Sequence, residues 1–256
     1  MIRRSMPDSV VLISGNLDDQ LHHLLLSCIE DEVPLGWARP KTESSARVYG
    51  GGDERVFIKV FDGPESFRFW HRVTRWRQER RIRRIIRNDL RMRKNGFLSP
   101  ETVAAGFIGS VSFLISRELP GEALAKVFNR ASWLEKSNIC RELAKEIAKL
   151  HGSGLYHGDL NPYNIHVWTE SKAARFAFLD NEQNLGLGFF WRDRALSDLR
   201  RLNRRRQVYQ PGLSLKITFL RTYLGSLNRL REFRAWQTWL SAKYAVDLNR
   251  RAKKGR

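Results

Sequence analysis

The segment His157-Gly158-Asp159-Leu160-Asn161-Pro162-Tyr163-Asn164 carries the groups that phosphoryl transfer needs. That reaction uses one carboxylate to orient an attacking hydroxyl and accept its proton. A second carboxylate and an amide oxygen hold Mg²⁺ on the phosphates of ATP. Asp159 has the place of the first carboxylate. Asn164, five residues on, offers the amide oxygen. The apolar stretch Phe176-Ala177-Phe178-Leu179 ends on Asp180, the second carboxylate. Taken singly each has a plainer reading: Asp159 as an acid capping a turn, Asn164 as a turn residue after Pro162, Asp180 as an acid at a strand end. Their order, with an apolar helix directly before Asp159, favours the chemical reading.

The elements that must position these groups are legible. Ile139, Leu143, Ile147 and Leu150 recur at helical spacing with Ala144 and Ala148 beside them, predicting a helix over 132–151 that Gly152 and Gly154 end. The His157–Asn164 loop follows, then a strand at Ile165–Trp168, a turn and the strand running to Asp180. Upstream, residues 17–30 read as a helix with Leu21, Leu24, Leu25, Cys28 and Ile29 on one side. Ala46–Tyr49 and Arg55–Phe61 read as two strands joined by a hairpin turn at Gly50-Gly51-Gly52-Asp53. Residues 65–95 read as a long basic helix that Asn95-Gly96 stops. Strands follow near Thr102–Phe107 and Ser110–Ile115, and Ser116–Gly121 reads as a connector. Beyond Asp180 the chain is mainly helical, with Leu215, Phe219, Leu220, Tyr223 and Leu224 in one apolar stripe. Lys59 sits mid-strand, where an inward lysine needs an anionic partner. Arg55, Phe57 and Lys59 share one face and Val56, Ile58 and Val60 the other, so alternation does not decide which way Lys59 points.

Composition limits the function classes. With 256 residues and 42% hydrophobic residues, the chain is long and apolar enough for a real core. No apolar run has the length of a membrane span. The basic start, Met1 to Asp8, leads into no long apolar segment, so no secretory signal is expected. Cys28 and Cys140 lie in no metal-ligand spacing and read as reduced thiols of a cytosolic protein. The 46 Lys and Arg outnumber the 27 Asp and Glu to give a net charge of +19, which seeks polyanions. Residues 68–94 alone hold twelve Arg or Lys against Glu79 and Asp89. Further basic runs lie at Arg200–Arg206 and in the tail from Arg250 to Arg256. Trp70 and Trp76 are interleaved with the first run, and Trp236 and Trp239 lie in the last helical region. Basic and aromatic groups together suit an anionic membrane interface. Nucleic acid ranks below that reading, because no zinc-finger, RRM or helix-turn-helix signature accompanies the charge.

From about Arg39 to Tyr223 the chain resembles the protein-kinase-like superfamily, and within it the bacterial lipopolysaccharide core (Kdo/heptose) kinases. The resemblance rests on Leu143–His151 leading through Gly154 to His157-Gly158-Asp159-Leu160 and Asn164-Ile165. Val56-Phe57-Ile58-Lys59, Glu118-Leu119-Pro120-Gly121 and Phe178-Leu179-Asp180 add to it. It implies an α+β, two-lobed fold: a small sheet-rich N-lobe over 1–117 and a larger helical C-lobe over 118–256. It also implies that Asp159 engages the acceptor hydroxyl, that Asn164 and Asp180 hold Mg²⁺, and that Lys59 grips the α- and β-phosphates of ATP. Glu118 and Leu119 would then lie by the adenine, and His157 would brace the loop. The acid that partners Lys59 is expected at Glu79, with Asp89 the alternative.

Three departures bear on the acceptor. No Gly-x-Gly-x-x-Gly is present, so the loop over the phosphates is expected near Lys41-Thr42-Glu43-Ser44-Ser45, where Ser44 and Ser45 would meet phosphate oxygens. Asp180-Asn181-Glu182 stands where protein kinases have Asp-Phe-Gly. Gly158 stands where they often carry Arg. The last two changes point away from a regulated protein kinase and toward a sugar or small-molecule kinase. The expected reaction is ATP-dependent phosphorylation of a lipopolysaccharide inner-core sugar, Kdo or heptose. Its expected place is the cytoplasm, peripheral to the inner face of the cytoplasmic membrane, in contact with an anionic glycolipid. A kinase of antibiotics or metabolites, and a pseudokinase that binds an anionic glycolipid or nucleic acid without chemistry, are the alternatives.

Overall fold

Alternating apolar residues in the strand Val56–Phe61 give both of its faces something to bury, and helices cover the two faces in turn. A computed structural model of the chain describes residues 10–30, 44–49, 55–61, 71–108, 111–170, 173–186, 191–203 and 211–242. The chain divides into two units. One comprises Met1–Leu90 and Pro100–Glu118, the other Arg91–Ser99 and Leu119–Arg256.

The first unit is built on a five-stranded sheet of β1 (Val10–Gly15), β2 (Ser44–Tyr49), β3 (Val56–Phe61), β4 (Thr102–Ile108) and β5 (Val111–Arg117). Their order across the sheet is β1-β4-β5-β3-β2, and every pairing is antiparallel. Val56, Ile58 and Val60 lie with Ala104, Phe113 and Ile115 against Leu25 of α1 (Asp19–Glu30). On the other face Phe61, Ala105 and Leu114 pack against Ile82 and Ile85 of α2 (His71–Lys94). Lys59 pairs in register with Leu114 and so shares the α2 face. That settles what the sequence alternation left open. Its ammonium lies 5.4 Å from the centre of the Phe61 ring.

The second unit is organised by α4 (Trp133–Gly152). Ser132 caps it: its hydroxyl accepts the Glu135 N–H while the Glu135 carboxylate accepts the Ser132 N–H, a reciprocal pair that fixes the helix start. Ile139, Leu143, Ile147 and Leu150 are all buried. They meet Leu215, Leu220, Tyr223 and Leu224 of α6 (Leu213–Ser226), and also Leu196, Leu199 and Leu202 of α5 (Trp191–Leu202). A three-stranded sheet joins β6 (Glu122–Ala123), β8 (Ile165–Glu170) and β9 (Ala173–Phe178) in the order β6-β8-β9. A short pair links β7 (Leu155–Tyr156) to β10 (Leu185–Gly186). The helix α3 (Leu124–Arg130) follows β6 directly. Residues 233–242 form a further helix.

Several expectations meet corrections here. Ser44 and Ser45 are not in a loop: they open β2 and pair with Phe61 and Val60. Ser116 and Arg117 belong to β5 rather than to a connector. The edge strand β1 and the helix α3 were not read from the sequence; β1 carries a solid apolar run with no alternation to mark it. Trp236 is wholly buried, with tilted and edge-on ring contacts to Tyr223, Trp191 and Trp239, so it is a core residue and not an interfacial one. Trp76 is 57% exposed beside Arg80. Cys140 is buried, which pushes its thiol up to about 12. Lys41–Glu43, Gly50–Asp53, Trp70, Arg204–Arg206 and the basic tail lie outside the described residues, as does the side chain of Cys28. Among the described residues no helix is long and apolar enough to cross a membrane.

Candidate active site

The loop that follows β7 owes its shape to a buried acid. Asp198 of α5 is fully buried on the helix face that carries Ala195, Leu196, Leu199 and Leu202. Its carboxylate accepts the backbone N–H groups of His157 at 2.8 Å and Gly158 at 3.0 Å. His151, near the end of α4, lies 3.4 Å from the same carboxylate through Nε2 and 2.7 Å from the Tyr223 hydroxyl through Nδ1. One tautomer satisfies both contacts: Tyr223 O–H donates to Nδ1, and Nε2–H donates to Asp198. Burial raises the Tyr223 hydroxyl well above the ordinary phenol value, as does the nearby Asp198 charge, which keeps the donor protonated. Three helices thus converge on two backbone amides just before Asp159.

Gly158 makes the turn possible. Its φ is +86°, and a Cβ there would stand 2.5 Å from the Gln183 Cβ and 2.6 Å from the Gln183 carbonyl oxygen. Arginine at this position is therefore excluded by space as well as by backbone conformation. His157 is wholly buried and its Nδ1 accepts the Asp159 N–H at 3.3 Å. Burial holds its imidazole below the ordinary value despite the carboxylates of Asp198, Asp159 and Asp180. A neutral ring that accepts a backbone N–H braces the loop and takes no proton from a substrate.

Asp159 is presented with both oxygens defined. Its Oδ2 accepts Nδ2–H of Asn161 at 3.2 Å and Nδ2–H of Asn164 at 3.1 Å. Its Oδ1 faces the Arg201 guanidinium at 3.3 Å. The Asn164 Nδ2 also donates to the Asp159 carbonyl at 3.0 Å. With its N–H groups committed there, Asn164 keeps an amide oxygen that has no partner among the described residues. The Asn164 carbonyl accepts the Leu179 N–H at 2.9 Å, which brings Asp180, the next residue, beside it. Asp180 itself is held at φ 57°, ψ 48°, a left-handed conformation that turns the chain out of β9 into the helical turn at 181–183. A hard amide oxygen and the carboxylate of Asp180 are the ligand types that Mg²⁺ takes, since it uses few protein ligands and fills its remaining positions with water and phosphate oxygens.

The remaining predicted residues lie in or at the edge of the first unit. Lys59 is half-buried on the α2 face of β3. Glu79 is partly exposed and ion-paired with Arg83 at 2.8 Å, one turn along α2. Asp89, the alternative, is only 2% exposed. Glu118 ends the first unit, with its N–H on the Arg55 carbonyl at 2.8 Å and its carboxylate on the Arg55 guanidinium at 2.9 Å. Leu119 opens the longer segment of the second unit.

Asp198, Asn161 and Arg201 join the site only in the structure. An acid among four buried apolar residues of one helix face was a readable signal for Asp198. Arg201 was lost in a run of arginines that read as surface charge.

A unit built on an antiparallel five-stranded sheet, and a helical unit whose loop after the longest buried helix presents an acid braced from a later helix, make a protein-kinase-like fold. The chain belongs to the Lipopolysaccharide kinase (Kdo/WaaP) family, whose model matches residues 65–223. That family places it among the phosphotransferases that act on hydroxyl groups. Of solved structures, WaaP in complex with acyl carrier protein is similar at 18% identity and a TM-score of 0.53, over 81% of this chain and 86% of that one. An aminoglycoside-3'-phosphotransferase of type VIII is similar at 15% identity and a TM-score of 0.53, over 77% of this chain and 89% of that one. Both likenesses are of fold. Of curated proteins, the O-antigen chain terminator bifunctional methyltransferase/kinase WbdD of Escherichia coli is 23% identical over 148 residues, 57% of this chain. The chain spans about a fifth of the length of that relative.

Proposed function

We propose that the chain transfers the γ-phosphoryl group of ATP to a sugar hydroxyl of the lipopolysaccharide inner core, on Kdo or heptose. The observation that carries this reading is the setting of Asp159, one oxygen held by two amides and the other against a guanidinium. Asp159 orients the acceptor hydroxyl and takes up its proton as the phosphoryl group moves. The transition state is loose, so holding the nucleophile in line contributes more than basicity does. Asn164 and Asp180 would hold Mg²⁺, which neutralises phosphate charge when bound. Lys59 serves the non-transferred phosphates, Ser44 and Ser45 the phosphate edge, and Glu118 and Leu119 the adenine, whose edge is met by backbone groups. Glu79 or Asp89 serves Lys59.

An anionic acceptor suits a chain of net charge +19 with an arginine on its candidate catalytic acid. Kinases of cationic antibiotics need the opposite charge around the acceptor, so that reading stands second. The charge and the exposed arginines of α2 support a place in the cytoplasm, at the inner face of the cytoplasmic membrane where a lipid-anchored acceptor lies.

The test is phosphate transfer from γ-labelled ATP with Mg²⁺ to dephosphorylated inner-core lipopolysaccharide, with Asp159→Ala as control. Label on the glycolipid from the wild-type chain alone is expected. Transfer to soluble aminoglycosides with none to the glycolipid reverses the order of acceptors. Near-normal turnover by Asp159→Ala removes Asp159 from its role, and absence of Mg²⁺-dependent ATP binding makes the chain a binding protein.

A further inference from the structure

Arg201 is the one strongly basic group that the described residues bring to the Asp159 carboxylate, and among those residues most of its hydrogen-bonding capacity is unspent. Its Nη1 lies 3.3 Å from Asp159 Oδ1 and 3.4 Å from Gln183 Oε1. Its Nε and Nη2 make no hydrogen bond among the described residues. The side chain is 26% exposed, and Asp159 is 37% exposed, so both are reachable by a substrate. A guanidinium is a planar fork. With one nitrogen on a protein carboxylate, its Nε–Nη2 edge still matches a second carboxylate or a phosphate in two parallel bonds.

We propose that Arg201 binds an anionic group of the acceptor and thereby sets acceptor specificity. The proposal rests on the kinase reading and deepens it. The acceptor's carboxylate or phosphate docks on the Nε–Nη2 edge while the hydroxyl of the same sugar meets Asp159. One side chain then bridges the catalytic acid and the acceptor's charge, so only a sugar whose anion lies close to its reacting hydroxyl satisfies both. Gln183 holds the same Nη1 that meets Asp159, and α5 fixes the root of the side chain because Leu199 and Leu202 are buried on either side of it. Arg201 also lies three residues from Asp198, so the helix that braces the loop delivers the acceptor contact as well.

The experiment compares four forms of one acceptor with the full chain. They are inner-core lipopolysaccharide as extracted, the same material dephosphorylated, the same with its carboxyl groups methyl-esterified, and the same with both treatments. The wild-type chain is expected to favour an anionic form over the doubly neutralised one by about tenfold or more in KM, the worth of one charge-assisted fork at a part-exposed site. Which single treatment removes the preference identifies the anion as carboxylate or phosphate. Arg201→Gln is expected to level the KM values of all four forms to within about twofold, and Arg201→Lys to keep part of the preference because charge survives without the fork. Thermal melting of both variants confirms folding, since a single part-exposed ion pair contributes little to stability. An equal fall in kcat on every acceptor with the preference intact overturns the proposal, because Arg201 would then only orient Asp159. Absence of any transfer by the wild-type chain overturns the kinase reading and this proposal with it.

Discussion

Removing the Asp198 carboxylate should unfasten the candidate catalytic loop, and the structure gives the size of the effect. Asp198→Ala leaves the His157 and Gly158 N–H groups buried without an acceptor, and it takes the partner from His151 Nε2. A hydrogen bond to a charged acceptor contributes about 1.5–3 kcal/mol, and the cost of burying Asp198 itself is recovered in the variant. The net loss is about 4 kcal/mol, as for breaking a buried charged network. For a chain of this length that lowers Tm by about 10 °C. Asp198→Asn keeps one acceptor but turns its amide N–H₂ toward the other donor, so it loses about half as much. Below its own melting temperature each variant should also lose turnover, because a displacement of about 1 Å at Asp159 costs on the order of a hundredfold. Urea unfolding followed by circular dichroism measures the first effect, and transfer from labelled ATP at low temperature the second. If Asp198→Ala stays within about 1 kcal/mol of wild type and turns over within about twofold of it, the two short bonds to Asp198 do not hold the loop.

Other substitutions probe other layers. Gly158→Ala forces an L-residue into a left-handed turn at about 1–2 kcal/mol, and its methyl group would collide with Gln183, so a loss of at least about 2 kcal/mol in unfolding free energy is expected. Glu146 is half-buried on α4, and burial raises its carboxyl above the ordinary value, against the pull of Lys149 and Arg175. A raised carboxyl favours the fold fully only below its unfolded value of 4.5, and that advantage is lost as pH rises through the folded value. Glu146→Gln should therefore melt higher than wild type at neutral pH, with the gap closing in acid. Replacing Arg77, Arg80 and Arg87 on the exposed side of α2 by Gln should weaken binding to phosphatidylserine vesicles about a hundredfold, at about 1 kcal/mol per charge. Equal binding by the triple variant in a sedimentation assay would move the membrane contact elsewhere.

What the sequence disclosed and what it hid follow a physical rule. The long helix α4 was readable to within a residue because its apolar period is unbroken and glycines end it. The strands β3, β8 and β9 were readable because short apolar runs end at turns. The meeting of Asp159 and Asn164 was readable because only four residues separate them in one loop, and the Asn164 amide does donate to the Asp159 carboxylate. The direction of Lys59 was not, since both faces of β3 are apolar and only the coverage of one by α2 and the other by α1 tells them apart. The start of β2 was misplaced because serines read as loop residues, whereas pairing with Phe61 and Val60 holds them in the sheet.

The residues that hold the loop stayed hidden for a different reason. Asp198 and Arg201 lie about forty residues beyond Asp159, and their contacts arise from where α5 packs, not from any local period. Yet the same packing gives both their jobs. Ala195, Leu196, Leu199 and Leu202 bury one face of α5, so Asp198, within that face, meets backbone amides in the dry interior. Arg201, one turn on and at the edge of that face, reaches Asp159 where solvent begins. A carboxylate buried that far inward needs hydrogen-bond donors and finds them in the chain just before the candidate catalytic acid. A guanidinium at the edge keeps donors to spare. The helix phase that makes Asp198 a structural anchor is therefore the phase that leaves Arg201 able to meet an acceptor. A substitution that rotates α5, such as a bulky residue at Ala195, should damage loop stability and acceptor preference together.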